Sequence, residues 1–163
     1  MIQVRIAGLS LDPVSEQPVL LLVRADDPSE NPRLALPIWI GHAEASAILL
    51  GLQGIEAPRP MTHDLLHDAI EALGHTVARV EITQLDSGTF YASVILHGDD
   101  RDLVLDARPS DSVALAVRAG CPIFVAEDVF AEAVVEVTEI DEEEEVEKFR
   151  DFLDHVDPSD FMS

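Results

Sequence analysis

Gln3, Arg5 and Ala7 alternate with Ile2, Val4 and Ile6 at the start of the chain, a period of two that predicts a half-buried strand. Val19 to Val23 is an unbroken apolar run between Pro18 and the polar stretch Arg24 to Pro28, and it predicts a central strand covered on both faces. Asp26 to Pro32 is rich in turn residues and reads as an exposed loop. Leu34 to Ile40 predicts a third strand. Pro37 lacks an N–H, so this strand belongs at an edge or ends there. At Gly41 the period changes, and the Ala- and Leu-rich stretch His42 to Leu52 predicts a mostly buried helix closed by Gly54.

Thr62 reads as the N-cap of a second helix that runs to about Leu73, with Gly74 just past its end. Leu66, Ile70 and Leu73 fall on one stripe of it, and His63, His67 and Glu71 on another, so the leucine stripe is expected inside and His67 at the surface. Strands resume over Thr76 to Leu85 and Thr89 to Leu96, joined by the hairpin signal Asp86-Ser87-Gly88. Leu103 to Leu105 starts a further strand. Pro109 starts a third helix, which stops at Gly120. Ile123 to Val125 and Glu127 to about Val134 predict a short strand and a short helix.

Strands followed by a helix thus occur twice, which suggests an internal β-β-β-α duplication. The expected class is α+β, with mainly antiparallel strands and helices packed on them. Residues 1–135 form one domain on this reading. Residues 136–163 form an acidic linker and a short amphipathic helix, because Val146, Phe149, Phe152 and Leu153 follow the run Glu142 to Glu145 at helical spacing. That helix either docks on its own domain or binds a protein partner.

Composition narrows the function. Of the 163 residues 47% are apolar, enough for a core. The lone Cys121 cannot form an intramolecular disulfide, which suits a reducing compartment. The start of the chain lacks a signal-peptide pattern, and no apolar run approaches the ~18–20 residues of a membrane span. A cytoplasmic location away from membranes is expected. The formal net charge is -22, and residues 1–135 alone carry twenty acidic against eight basic side chains. Non-specific nucleic-acid binding draws on cations, so such a chain needs a local basic pocket, a metal ion or a small ligand instead.

Two polar clusters interrupt the apolar pattern: Arg59 to Asp64, and Asp106 to Ser112. Each lies at a predicted helix start, where free N–H groups and the positive end of the helix dipole favour phosphate. Arg59, Thr62, Arg108 and Ser110 are the candidate phosphate ligands. His63, Asp64, Asp106 and Asp111 are the candidate catalytic groups. Asp64, Asp106 and Asp111 are candidate ligands of Mg²⁺ or Mn²⁺. Thr62, Asp64, Ser110 and Asp111 are also what ordinary helix capping selects. His63 and His67 have the i, i+4 spacing of a zinc pair, but a third ligand is missing and Asp64 is short for the base of a metalloprotease. Glu44 reads as the partner of an arginine.

Four ordered segments carry a family resemblance. They are Leu36 to Gly41 with Glu44-Ala45, Arg59 to Leu65, Gly88 to Ala92, and Asp106 to Ala116. Together they resemble the bifunctional nuclease domain family over about residues 1–135. The resemblance implies a compact α+β fold, a homo-oligomer, and cleavage of DNA and RNA with nucleic acid as substrate. Two functions follow as expectations. One is a metal-assisted phosphodiesterase. The other is a non-catalytic regulatory or small-anion-binding oligomeric module, in which the same residues act as caps and ion pairs.

Overall fold

A computed structural model of the protein describes residues 1–29 and 33–137, together with 147 and 151. The chain folds in the order β1 (Ile2–Leu11), β2 (Pro18–Arg24), β3 (Leu34–Trp39), α1 (His42–Leu52), α2 (Thr62–Ala72), β4 (His75–Asp86), β5 (Thr89–Gly98), β6 (Leu103–Ala107), α3 (Pro109–Ala119), β7 (Ile123–Val125), α4 (Glu127–Ala133) and β8 (Val135–Glu136). The strands form one sheet in the order β6-β5-β4-β7-β1-β2-β3-β8. Among the described residues only β4 and β7 run parallel; every other neighbouring pair is antiparallel. The class is α+β, as the periodicity predicts. Two three-strand meanders, β1-β2-β3 and β4-β5-β6, flank the short β7, and each leads into a helix. Val146, Phe149, Phe152 and Leu153, the apolar positions of the expected tail helix, lie outside the described residues.

The apolar run of β2 is buried from Pro18 to Val23 because both faces find partners. Leu20 and Leu22 point into the main core with Ile48 and Leu115, while Val19, Leu21 and Val23 form a second cluster with Ala7 and Ala35. Pro37 pairs with Leu21 of β2 on one side. On the other side β8 reaches only Leu34 and Ala35, so the missing N–H of Pro37 costs no ladder bond there.

Helix α2 departs from the sequence reading in two ways. Thr62 is its first residue rather than its cap. Met61 occupies the cap position, and its N–H donates to Oδ2 of Asp64 at 2.9 Å, so the cap comes from within the first turn. The leucine stripe is also not inside. Ile70 is the buried residue of this helix, Leu66 and Leu73 are exposed, and His63, Asp64 and His67 are half-buried. The ion pairs described below hold the polar side of α2 against α3.

Helix α3 has Pro109 at its first turn and ends at Gly120, whose φ is +66°. A methyl group at Gly120 would meet nothing within 4 Å, so the backbone angle alone restricts this position. Gly8 of β1 is equally open, but its φ is not left-handed. Gly120→Ala should therefore destabilise the fold by about 1–2 kcal/mol in urea unfolding, whereas Gly8→Ala should leave it unchanged or slightly raise it.

Candidate functional site

Three helix starts meet through charged side chains. Asp111, in the first turn of α3, is the hub. Its Oδ1 accepts from His63 Nε2 of α2 at 2.9 Å, and its Oδ2 accepts from Arg108 Nε at 2.7 Å. The second arm of Arg108 donates to Oε1 of Glu44, in the first turn of α1, at 2.9 Å. Glu44 thus has the arginine partner that its position suggested. Arg108 is nevertheless 65% exposed, so one end of this chain of contacts faces solvent.

Below the hub lies a second pair. Arg118, only 10% exposed, donates from Nε to Oδ1 of Asp64 at 2.6 Å. Its Nη1 donates to the carbonyls of Ala47 at 3.1 Å and Ala114 at 2.8 Å. One guanidinium therefore ties α1, α2 and α3 together. Gly51 of α1 leaves the room: a Cβ there would come within 2.9 Å of Val117 Cγ1 and 3.1 Å of Arg118 Nη1. Sequence reading did not single out Arg118. The available signal was a cation seven residues after Asp111 in an otherwise small and apolar helix.

Both central carboxylates are held ionised. Burial opposes ionisation of Asp111, but hydrogen bonds from Arg108 and His63 outweigh it and bring its pKa below the usual range. For Asp64 burial is again the largest influence, and the Met61 N–H with the Arg118 guanidinium overcomes it, also to a lowered value. An ionised Asp111 has no proton to give, so His63 Nε2 carries the hydrogen between them, and in the neutral imidazole Nδ1 is the nitrogen left to accept one. Burial pushes the Cys121 thiol up, away from a nucleophilic thiolate.

The remaining candidates are placed as follows. Ser110 is buried, 6% exposed, and its hydroxyl has no hydrogen-bond partner among the described residues. Thr62, Arg59 and Asp106 are exposed, and none makes a side-chain hydrogen bond or ion pair among the described residues. The structure therefore joins His63, Asp111 and Arg108 directly, and places Asp64 beside them on Arg118. Asp106 makes no hydrogen bond or ion pair to any of these four among the described residues.

This bears on a metal ion. Asp64 and Asp111 offer four oxygens, each already accepting from a cationic or N–H partner. In this arrangement Asp64, Asp106 and Asp111 do not fit one shared ion. The three metal-capable side chains that do lie together among the described residues are His67, Asp68 and Glu71 on α2, with donor atoms within 4.8 Å of one another. His63 and His67 do not share a site, since His67 faces Glu71 at 3.8 Å.

An α+β sheet domain with a linked charge cluster at its helix starts is the class these observations define. Residues 25–138 match the family model of the bifunctional nuclease domain, and the chain belongs to that family. It is 51% identical over 131 residues to an uncharacterized protein of Mycobacterium tuberculosis, covering 80% of this chain and 75% of that one. Bifunctional nuclease 1 of Oryza sativa subsp. indica is 28% identical over 108 residues, 64% of this chain and 32% of the plant protein. Bifunctional nuclease 2 of Arabidopsis thaliana is 30% identical over 95 residues, 56% of this chain and 29% of its own. The match thus spans about a third of these two plant relatives. Among the described residues no helix is long and apolar enough to cross a membrane.

Removing Arg118 leaves Asp64 and two helix carbonyls unanswered. Arg118→Ala should cost about 2–4 kcal/mol in urea unfolding, while Arg24→Ala, which breaks an exposed pair with Asp26, should cost under about 1 kcal/mol. Acid should act on the same junction. The folded pKa values of Asp64 and Asp111 lie below their unfolded values, so their stabilisation is complete above roughly pH 4 and fades as pH falls through the folded values. The wild-type urea midpoint should fall below that pH, and fall less steeply in Arg118→Ala.

Proposed function

We propose that this domain hydrolyses phosphodiester bonds of DNA and RNA at the His63–Asp111–Arg108 cluster. One observation carries the reading: in a chain of this nuclease family, a single carboxylate holds a histidine on one oxygen and a largely exposed arginine on the other. In the proposed reaction Asp111 orients His63, and Nδ1 accepts the proton of an attacking water. The water oxygen bonds to phosphorus, the P–O bond to the leaving sugar oxygen breaks, and that oxygen takes a proton from the imidazolium or from bulk water. Asp111 stabilises the imidazolium while it exists.

Arg108 answers the phosphate charge, with Arg59 four residues before His63 as a second cation. The free hydroxyl of Ser110, Thr62 at the start of α2 and the N-terminal N–H groups of α2 and α3 supply further donors. Asp64 positions α2 through Arg118. No step is assigned to a metal ion, and any need for Mg²⁺ or Mn²⁺ is read from the same assay.

A second reading has an observation in its favour. Arg108 and Arg118 both spend their donors on internal partners, which suits a non-catalytic regulatory or anion-binding module.

Fluorescent single-stranded DNA and RNA, incubated with the pure protein in Mg²⁺, Mn²⁺ or chelator, separate the two. On the nuclease reading, His63→Ala and Asp111→Asn, each checked for folding by circular dichroism, lose at least about a hundredfold in rate. Hydrolysis unchanged in both variants, or none under any condition, ends that reading. A thermal shift with nucleotides and no hydrolysis supports the module.

A further inference from the structure

We propose that Glu44 is a resident counter-anion that latches Arg108 and sets how tightly the site takes phosphate. The proposal rests on the phosphate reading of Arg108 given above and adds the residue that controls its affinity. Arg108 has one fixed partner and one loose one. Its Nε donates to Asp111 at 2.7 Å, and Asp111 is held in turn by His63 at 2.9 Å. Its Nη2 donates to Glu44 Oε1 at 2.9 Å. Among the described residues this is the one side-chain hydrogen bond of Glu44, and Oε2 has no partner. Arg108 Nη1 has none either, and the arginine is 65% exposed. An ion pair to so exposed a cation adds little to stability. Asp111 already holds the guanidinium in place. The Glu44 contact instead sets a carboxylate on the arm that a phosphate would use.

Gly41 builds the seat of that carboxylate. It precedes α1 with φ -75° and ψ 159°, ordinary extended backbone, so conformation does not reserve the position for glycine. Space does. A Cβ at Gly41 would collide with Glu44 Oε2 and come within 3.2 Å of its Cδ. Both atoms belong to the far end of a flexible side chain, so a methyl group would turn the carboxylate aside rather than move the backbone. Without it, the carboxylate lies back over the turn before α1, 18% exposed, and still reaches Arg108. The positive end of α1 favours a carboxylate there, but no side-chain cap hydrogen bond pins it.

Such a contact works as a latch. A phosphate that binds only when Glu44 has moved away finds its apparent affinity lowered by the fraction of open protein. An exposed ion pair makes the closed form about fivefold more populated than the open one. The factor lies in the protein, so it is the same for a free phosphate and for one carried on a nucleotide. It weighs most on small anions that bring no further contact.

Titration of the isotope-labelled full chain with inorganic phosphate, and separately with adenosine monophosphate, tests this by NMR. The readout is the Arg108 Nε–H signal, assigned by its loss in Arg108→Ala. Glu44→Gln keeps the hydrogen-bond acceptor and removes the charge, whereas Gly41→Ala keeps the charge and moves it. Each should tighten both ligands about fivefold, with circular dichroism unchanged. The double variant should bind no tighter than Glu44→Gln alone, because no charge is left to move. Where the fluorescent substrates are cleaved, KM should fall by the same factor with kcat unchanged. Weaker or unchanged binding in Glu44→Gln overturns the latch and leaves the phosphate site standing, with Glu44 a positioning residue for Arg108. Unchanged binding in a folded Gly41→Ala overturns it too. If neither ligand moves the Arg108 signal in any of these proteins, the phosphate reading falls and the latch with it.

Discussion

Arg118 is the constraint from which the rest of the molecule follows. A guanidinium buried between helices is tolerated only when its donors are met. Here Nε is met by a carboxylate of α2, and Nη1 by a carbonyl of α1 and a carbonyl of its own helix. That arrangement requires glycine at 51 and requires α2 to turn its polar side inward. With α2 held so, His63 reaches Asp111, and Asp111 is left with one oxygen for Arg108. The candidate site and the exposed leucines are two sides of one decision about the roll of a helix.

The strands and helix ends were readable because their signals are local. A run of five apolar residues, Val19 to Val23, suits a strand covered on both faces, and β2 is that strand. Pro109 and Gly120 bracket α3 because each suits one end of a helix and not its middle. The repeated strand–helix order was visible for the same reason. The face of α2 was not. Hydrophobic periodicity assumes that burying leucine dominates, but an unanswered Asp64 and Arg118 would cost more than the exposure of Leu66 and Leu73.

The candidate residues show the same limit. His63, Asp64, Arg108 and Asp111 could be named because they cluster at helix starts, where anions and their partners collect. Which of them touch is a matter of tertiary geometry. Arg118 gave the weakest signal, since a cation in the last turn of a helix ordinarily complements the dipole at the surface. Instead it lies 10% exposed beneath the cluster.

The charge of the cluster sets what it can bind. Glu44, Asp64 and Asp111 stand against Arg108 and Arg118, so the group has no cationic surplus with which to hold a polyanion along its length. Any phosphate must compete with Glu44 for the exposed arm of Arg108. On the proposed reading such a competition favours one or two well-placed phosphates over an extended backbone, because beyond Arg59 each further phosphate meets acidic side chains rather than another cation. A substrate or ligand selected in this way makes few ionic contacts, and its binding should depend only weakly on salt. Short, single-stranded or nucleotide-sized ligands meet that condition, whereas duplex DNA presents its charge too densely for Arg108 and Arg59 to answer.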